Sequence, residues 1–241
     1  MIMPLSQQRI AQAFVDLAAC GVTEPSRLLT VLADHGNGLL GDGAAIVLYA
    51  PDERAATQVA GTGEELLRLA RDAVEWGEGP GPQARRTGRP VPDTALDEEP
   101  ARRTWPRYTA RARALGYGRA AALPLRVGAA TPGALVLLGS GRTPLSRELL
   151  GLAQALTDAA GWALQRDREL RESRALADQL GQALTSRIVI EQAKGMLAAR
   201  LSVTVDEAFQ ILRVHARSNR RRLTDVAGEV VRQRLDLRGA D

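Results

Sequence analysis

Residues 187–231 read RIVIEQAKGMLAARLSVTVDEAFQILRVHARSNRRRLTDVAGEVV. The stretch parses into three short helices with punctuation between them. Ile190, Ala193, Leu197 and Leu201 fall at helical spacing and give the first helix one apolar stripe. Thr204-Val205-Asp206-Glu207 reads as a capping box, in which hydroxyl and carboxylate satisfy each other's orphan backbone donors. It opens a second helix whose inner face is expected to be Val205, Ala208, Phe209, Leu212 and Ala216. Thr224 is expected to cap a third helix, with Val226, Ala227, Val230 and Val231 turned inward. Three helices of this size make a small core, which calls for support from another domain or subunit.

The charges lie off those apolar faces. Arg213, Arg217 and Arg220 follow one outer stripe of the second helix and run into Arg221 and Arg222, with no acidic residue between 213 and 222. On the first helix Arg187 and Lys194 share a stripe with Glu191 between them, and Lys194 is the only lysine in an arginine-rich chain. A solvated basic face with an Arg187–Glu191 ion pair explains this as well as a nucleic-acid surface does on charge alone.

Ile190-Glu191-Gln192-Ala193-Lys194-Gly195-Met196-Leu197, Asp206-Glu207-Ala208-Phe209, Leu212-Arg213, Asn219, Leu223 and Asp225-Val226-Ala227 occur in one ungapped register. Together they resemble the ANTAR domain, a three-helix RNA-binding output module of bacterial transcription antiterminators. Ala198 departs from the methionine that the family often has there. The resemblance implies binding to paired stem-loops in nascent transcripts. The candidate contacts are Arg187, Lys194, Arg213, Arg217, Asn219, Arg220 and Arg221. Arginine suits this task because its planar fork grips phosphate and stacks on bases.

The whole chain has 241 residues, 45% of them hydrophobic, and a net charge of +4. That is enough for one large or two small domains, and permits nucleic-acid binding without requiring it. A single cysteine, Cys20, excludes an intramolecular disulfide framework and a cysteine-based zinc cluster. Met1-Ile2-Met3-Pro4 lacks the charged start of a signal peptide, and no apolar run is long enough to span a bilayer. A soluble, cytoplasmic protein is expected.

Leu5–Cys20 reads as an amphipathic helix closed by Gly21, and 25–40 as another ended by glycines 36, 38 and 41. Residues 44–49 and 57–60 are expected strands, with a turn at Pro51-Asp52, and 64–76 a helix. Residues 77–100, rich in Gly, Pro and charge, read as a long loop. A helix over 103–115 follows, then hairpin strands over 120–127 and 133–138 joined through Gly128 and Pro132. Helices around several strands describe an α+β sheet domain. Glu78-Gly79-Pro80, Thr87-Gly88-Arg89-Pro90-Val91, Trp105-Pro106, Pro124-Leu125-Arg126 and Gly133-Ala134-Leu135 make this domain similar to a GAF domain. The resemblance implies a small-molecule or protein signal received on one sheet face. Position 81 is Gly81 where many relatives carry cysteine, so chromophore attachment there is not expected.

Between the two, Leu149, Leu156, Ala163, Leu170, Ala177 and Leu184 recur every seven residues, while the companion seam breaks at Asp167, Arg174 and Gly181. One long helix is expected, packed on the sheet at its start and pairing with a second copy further on, with Leu156, Leu170 and Leu184 near the axis of a homodimer. The predicted organisation is a GAF-like antiparallel sheet domain over 1–145, a linking helix over 146–184, an all-α ANTAR domain over 185–235 and a tail over 236–241. His35 and His215, the Asp97-Glu98-Glu99 run and the glycines between 77 and 82 define no metal, catalytic or phosphate site, and Trp76, Trp105, Tyr108 and Tyr117 serve as core anchors as readily as a pocket lining. No cofactor and no catalysis are expected. The leading rival is a DNA-binding regulator using the second and third helices as a helix-turn-helix. A sulfoxide-reductase activity and a protein-interaction adaptor rank below it.

Overall fold

The computed structural model describes residues 5–20, 25–40, 42–52, 54–232 and 235. The expectations placed on Met1–Pro4, Gly21, Gly41 and the tail over 236–241 lie outside these residues. The chain divides into two compact units, Met1–Glu169 and Leu170–Asp241.

The first unit is built on a five-stranded antiparallel sheet. Its helices α1 (Leu5–Ala19) and α2 (Pro25–Leu39) precede strands β1 (Gly43–Tyr49) and β2 (Gln58–Gly61). Helices α3 (Glu64–Trp76) and α4 (Pro80–Thr87), strand β3 (Val91–Ala95), and helices α5 (Glu99–Thr104) and α6 (Pro106–Ala114) follow. Strands β4 (Arg119–Val127) and β5 (Ala130–Gly139) complete the sheet, in the order β2-β1-β5-β4-β3. Helix α7 (Arg147–Leu201) leaves this unit and is followed by α8 (Val205–Ser218) and α9 (Leu223–Val231).

The central strands are apolar on both faces because both faces are covered. Alternate residues Ala44, Ile46, Leu48, Val136 and Leu138 belong to a core shared with α3, α4, α5 and α6. Their neighbours Ala45, Val47, Leu135 and Leu137 face a second core made with α1, α2 and the start of α7. The register that sets this alternation pairs Ile46 with Val136 and Leu123 with Leu135.

Residues 77–100 are not a loop. They hold α4, β3 and the start of α5, because proline starts helices as well as breaking them. Pro80, Pro100 and Pro106 each stand at the first or second position of a helix, where the missing N–H would find no partner in any case. Gly79 (φ 101°) and Gly88 (φ 65°) close the two ends of α4. The expected single helix over 103–115 is also broken, because Trp105 precedes Pro106 and takes φ −134°, ψ 63°. Glu78 mends the break: its Oε2 accepts the backbone N–H groups of Arg107 at 2.8 Å and Tyr108 at 3.2 Å.

Three smaller expectations also change. Gly36 and Gly38 do not end α2, which runs through both to Leu39. Pro132 lies within β5, and the hairpin turns at Gly128 (φ 60°). The first C-terminal helix is not a separate short element but the end of α7, which continues for 55 residues. No proline interrupts residues 147–201, and the scattered glycines at 151, 161, 181 and 195 do not stop a helix whose flanks favour it.

The sheet face beneath α4 is filled. A Cβ built on Gly81 would stand 2.5 Å from Leu48 Cδ1 and 2.8 Å from Val136 Cγ2. Any side chain at position 81 would therefore press on Leu48 and Val136. Trp105 and Tyr108 are buried in the same core, edge to face with ring centroids 6.3 Å apart, and act as anchors. Burial without a hydrogen-bond partner raises the pKa of the Tyr108 hydroxyl.

Gly36 is equally confined, with a built Cβ 2.9 Å from that of Ala45, whereas a Cβ on Gly38 meets nothing within 4 Å. Gly81→Ala should lower stability by about 1–3 kcal/mol through overpacking. Gly38→Ala should raise it by about 0.8–1 kcal/mol, because alanine favours the helix and meets no neighbour. Urea midpoints of the two variants should move in opposite directions from wild type.

Candidate nucleic-acid interface

The second unit closes around Ala193 and Leu197 of α7, Ala208, Leu212 and Ala216 of α8, and Val226, Ala227 and Val230 of α9. Ile190, Leu201 and Val231 pack against this core from partly buried positions. Val205 does not join it: at the first turn of α8 it is exposed, and Phe209 is only half-buried. The capping box forms as read. Thr204 Oγ1 accepts Glu207 N–H at 3.2 Å, and Glu207 Oε2 accepts Thr204 N–H at 2.8 Å.

Phe209 brings two candidate cations together. Lys194 Nζ of α7 lies 5.2 Å from its ring centroid, and Arg213 Cζ of α8 lies 5.7 Å from it. The ring attracts both through its quadrupole. Lys194 is further held by both carboxylate oxygens of Glu191 at 3.0 Å, so Glu191 pairs with Lys194 rather than with Arg187. The i, i+3 spacing of this pair was readable from the sequence; the role of Phe209 as a platform was not, because it was assigned to the core.

Helix α8 ends in a Schellman arrangement: Arg221 N–H donates to Ala216 O at 2.8 Å and Arg220 N–H to Arg217 O at 3.1 Å. The residue between cap and return is Arg220, at φ 51°, in the left-handed region usually left to glycine. Asn219 turns its amide back onto His215 O at 2.9 Å and so closes the helix. Arg221 makes a two-pronged pair with Glu229 of α9, Nη1 to Oε2 at 2.9 Å and Nη2 to Oε1 at 2.6 Å. This turn also moves the start of α9. Arg222, not Thr224, is the N-cap, and no side chain caps it. Asp225 and Val226 N–H both donate to Arg222 O, leaving Thr224 inside the first turn.

The seven candidate residues thus divide. Arg187, Arg217 and Arg220 are exposed, with no hydrogen bond or ion pair from their side chains among the described residues. Arg213 and Lys194 flank the Phe209 ring, with Arg217 one turn beyond Arg213 on α8. Arg221 and Asn219 spend their donors inside the unit. Arg187 stands about two turns before Lys194 on α7, apart from the Phe209 cluster.

In the first unit, an open cleft of about 540 Å³ lies beside Leu48, Val74, Pro82, Arg85, Arg86 and Thr131. Arg85 Nη1 donates to Thr57 Oγ1 at 3.3 Å there. Among the described residues no group of three or more His, Cys, Asp or Glu side chains is placed to hold a metal, and no helix is long and apolar enough to cross a membrane.

The chain thus joins a sheet domain to a three-helix unit with a basic flank. Residues 22–165 match the GAF domain family and residues 178–231 the ANTAR domain family, in that order. The chain belongs to the GAF family and carries an ANTAR domain after it. No curated protein matches it. Among solved structures it is similar to the second GAF domain of DevS from Mycobacterium smegmatis, with 21% identity, 62% of this chain and 99% of that one covered, and a TM-score of 0.44. It is also similar to the N-acylhomoserine-lactone-dependent LuxR-family factor CepR2 from Burkholderia cenocepacia, with 16% identity, 68% and 98% covered, and a TM-score of 0.51. The bacteriophytochrome RpBphP3 from R. palustris shares 14% identity, with 88% and 47% covered and a TM-score of 0.51. At these identities the likeness concerns the fold alone.

Two carboxylates of the second unit hold their protons less tightly than usual. Hydrogen bonds from the Thr204 backbone and then its hydroxyl lower the pKa of Glu207, and the hydrogen bond from Arg221 lowers that of Glu229. A carboxylate with a depressed folded pKa stabilises above its unfolded pKa, and that contribution is lost as pH falls through the folded value. The helicity of the second unit should therefore hold at neutral pH and decline below the ordinary Glu pKa of about 4.3. Glu207→Gln combined with Glu229→Gln should lower the neutral-pH melting temperature and flatten that acid limb. An acid limb unchanged by the double variant would assign it to other carboxylates.

Proposed function

We propose that this protein is an RNA-binding transcription antitermination regulator acting in the cytoplasm. Its C-terminal unit binds paired stem-loops in nascent transcripts, and its N-terminal unit responds to a small-molecule or protein signal. The observation that carries the reading is the contiguous array of Lys194, Phe209 and Arg213, continued by Arg217, on a unit that matches the ANTAR domain. Cations around a half-exposed ring suit RNA, whose phosphates take the charge and whose loop bases stack on flat groups. Arg187, Arg213, Arg217 and Arg220 are the direct contacts in this reading. Lys194 is both a contact and an anchor. Asn219 and Arg221 hold the turn that presents Arg220. GAF and ANTAR domains are sensory and regulatory, in keeping with a protein that performs no catalysis.

A second copy completes the proposal. Leu170, Leu176, Leu180, Leu184 and Ile188 of α7 are exposed, Leu184 at 61%. Leu156, expected near a dimer axis, is instead buried in its own subunit against the sheet. Two ANTAR units joined through the remaining stripe would engage both stem-loops of a paired target, raising affinity through effective concentration.

Arg217→Glu should weaken binding to a paired stem-loop RNA by about tenfold or more near 0.1 M salt and flatten the salt dependence, with helicity unchanged. Arg220→Gly should also weaken binding while leaving stability equal or up to about 1 kcal/mol higher, because glycine occupies the left-handed position without strain. Wild-type affinity in both variants would remove this face from the interface, and equal affinity of the wild type for duplex DNA would favour the helix-turn-helix reading.

Leu170→Lys combined with Leu184→Lys should give monomers that retain helicity and bind paired stem-loops poorly. Light scattering that finds the wild type monomeric even with saturating RNA would refute the dimer.

A further inference from the structure

We infer that the first unit has a binding site for a small amphipathic carboxylic acid in the cavity between α1, α2 and the start of α7. The cavity lies on the sheet face opposite α3–α6 and is separate from the cleft beside Arg85 and Arg86. The inference stands on the first unit alone and does not depend on RNA binding.

The cavity measures about 430 Å³. That lies within the roughly 300–1,000 Å³ usual for small-ligand sites. Its floor is apolar: Ala13 of α1, Leu39 of α2, and Leu152 and Leu156 of α7. Ala13 and Leu156 are themselves buried members of the core, so the floor is set by packing that a ligand need not reorganise.

Gly38 borders this space. It lies inside α2, where glycine is less favourable than alanine. At Gly36, two residues earlier, the sheet explains the missing side chain, since a Cβ would press on Ala45. At Gly38 no such neighbour exists: a Cβ would meet nothing within 4 Å, and Gly38 lines the cavity. Any larger side chain there would project into the space that a ligand needs.

The polar groups at the border include one cation. Arg9 and Gln12 of α1 and His35 of α2 border the cavity, and none of the residues lining it is acidic. His35 is oriented by Asp16, Nε2 to Oδ2 at 3.0 Å, and Asp16 is held in turn by Gln12 Nε2 at 2.7 Å. Among the described residues the Arg9 guanidinium has no ion-pair partner. One unpaired guanidinium above an apolar floor complements an aliphatic chain ending in a carboxylate. The bound chain would lie directly on Leu152 and Leu156, so the acid would bias whichever packing of α7 it contacts better.

Octanoate tests the site, with octylamine and octanol as controls of the same chain length, using the full chain. Octanoate should raise the melting temperature saturably and give a binding isotherm by calorimetry, octanol should act more weakly, and octylamine should not act. Arg9→Gln should weaken octanoate about tenfold. Gly38→Phe should retain helicity and lose the response; should it lower helicity, Gly38→Leu gives the same reading with less bulk. No saturable response to octanoate, an equal response to octylamine, or wild-type binding by the folded Gly38 variant would each overturn the inference.

Discussion

One uninterrupted helix has to serve two hydrophobic cores. Ala153, Leu156, Ala160 and Leu164 of α7 are buried in the first unit, and Ala193 and Leu197 of the same helix are buried in the second. The small residues at the start have a reason. Gly161 lies so close to the carbonyl of Arg126 that a Cβ would collide with it, which lets α7 approach β4 closely. Close packing there leaves little freedom to shift without repacking neighbours. Among the described residues, α7 is the element with core residues in both units. Leu152 and Leu156 thus lie on the same helix as Lys194.

How much of this was legible in the sequence follows from how local each cause is. The helix over 64–76, the strand pattern over 44–49 and the capping box at Thr204 were read correctly because their determinants lie within a few residues. The segment over 77–100 was misread because its prolines act at helix starts, and the carboxylate that caps α6 comes from Glu78, 29 residues before Arg107. Leu156 fitted a seven-residue repeat and was therefore placed at a dimer axis. Periodicity identifies an apolar face but not its partner, and the sheet of the same subunit takes this one.

The candidate interface shows the same limit. The basic stripe of α8 could be read from spacing, yet charge alone does not separate an exposed cation from one committed to a structural pair. Arg221 is bound to Glu229 eight residues on, across a turn whose geometry no local pattern announced. Lys194 lies between Glu191 and Phe209, so its charge is partly neutralised and its direction fixed. Such a residue orients the surface more than it strengthens it, whereas Arg217 presents an uncompensated charge to solvent.

Backbone strain at Arg220 invites a functional explanation, but Ser202 provides an internal control. Ser202 follows α7 at φ 56° and Val203 N–H returns to Ala198 O, so α7 and α8 close in the same way, each without glycine. Left-handed strain therefore does not by itself mark a binding residue here. What distinguishes Arg220 is a positive charge at the end of a helix whose last carbonyls are partly negative, an interaction worth about 0.3–1 kcal/mol that offsets part of the roughly 1–2 kcal/mol conformational cost. Glycine would remove the strain and the charge together. The exchange keeps a cation at the tip of the turn, one residue from the Arg221–Glu229 pair that holds the turn in place. The physical case for Arg220 rests on charge and exposure, with the left-handed backbone as the means of presenting them.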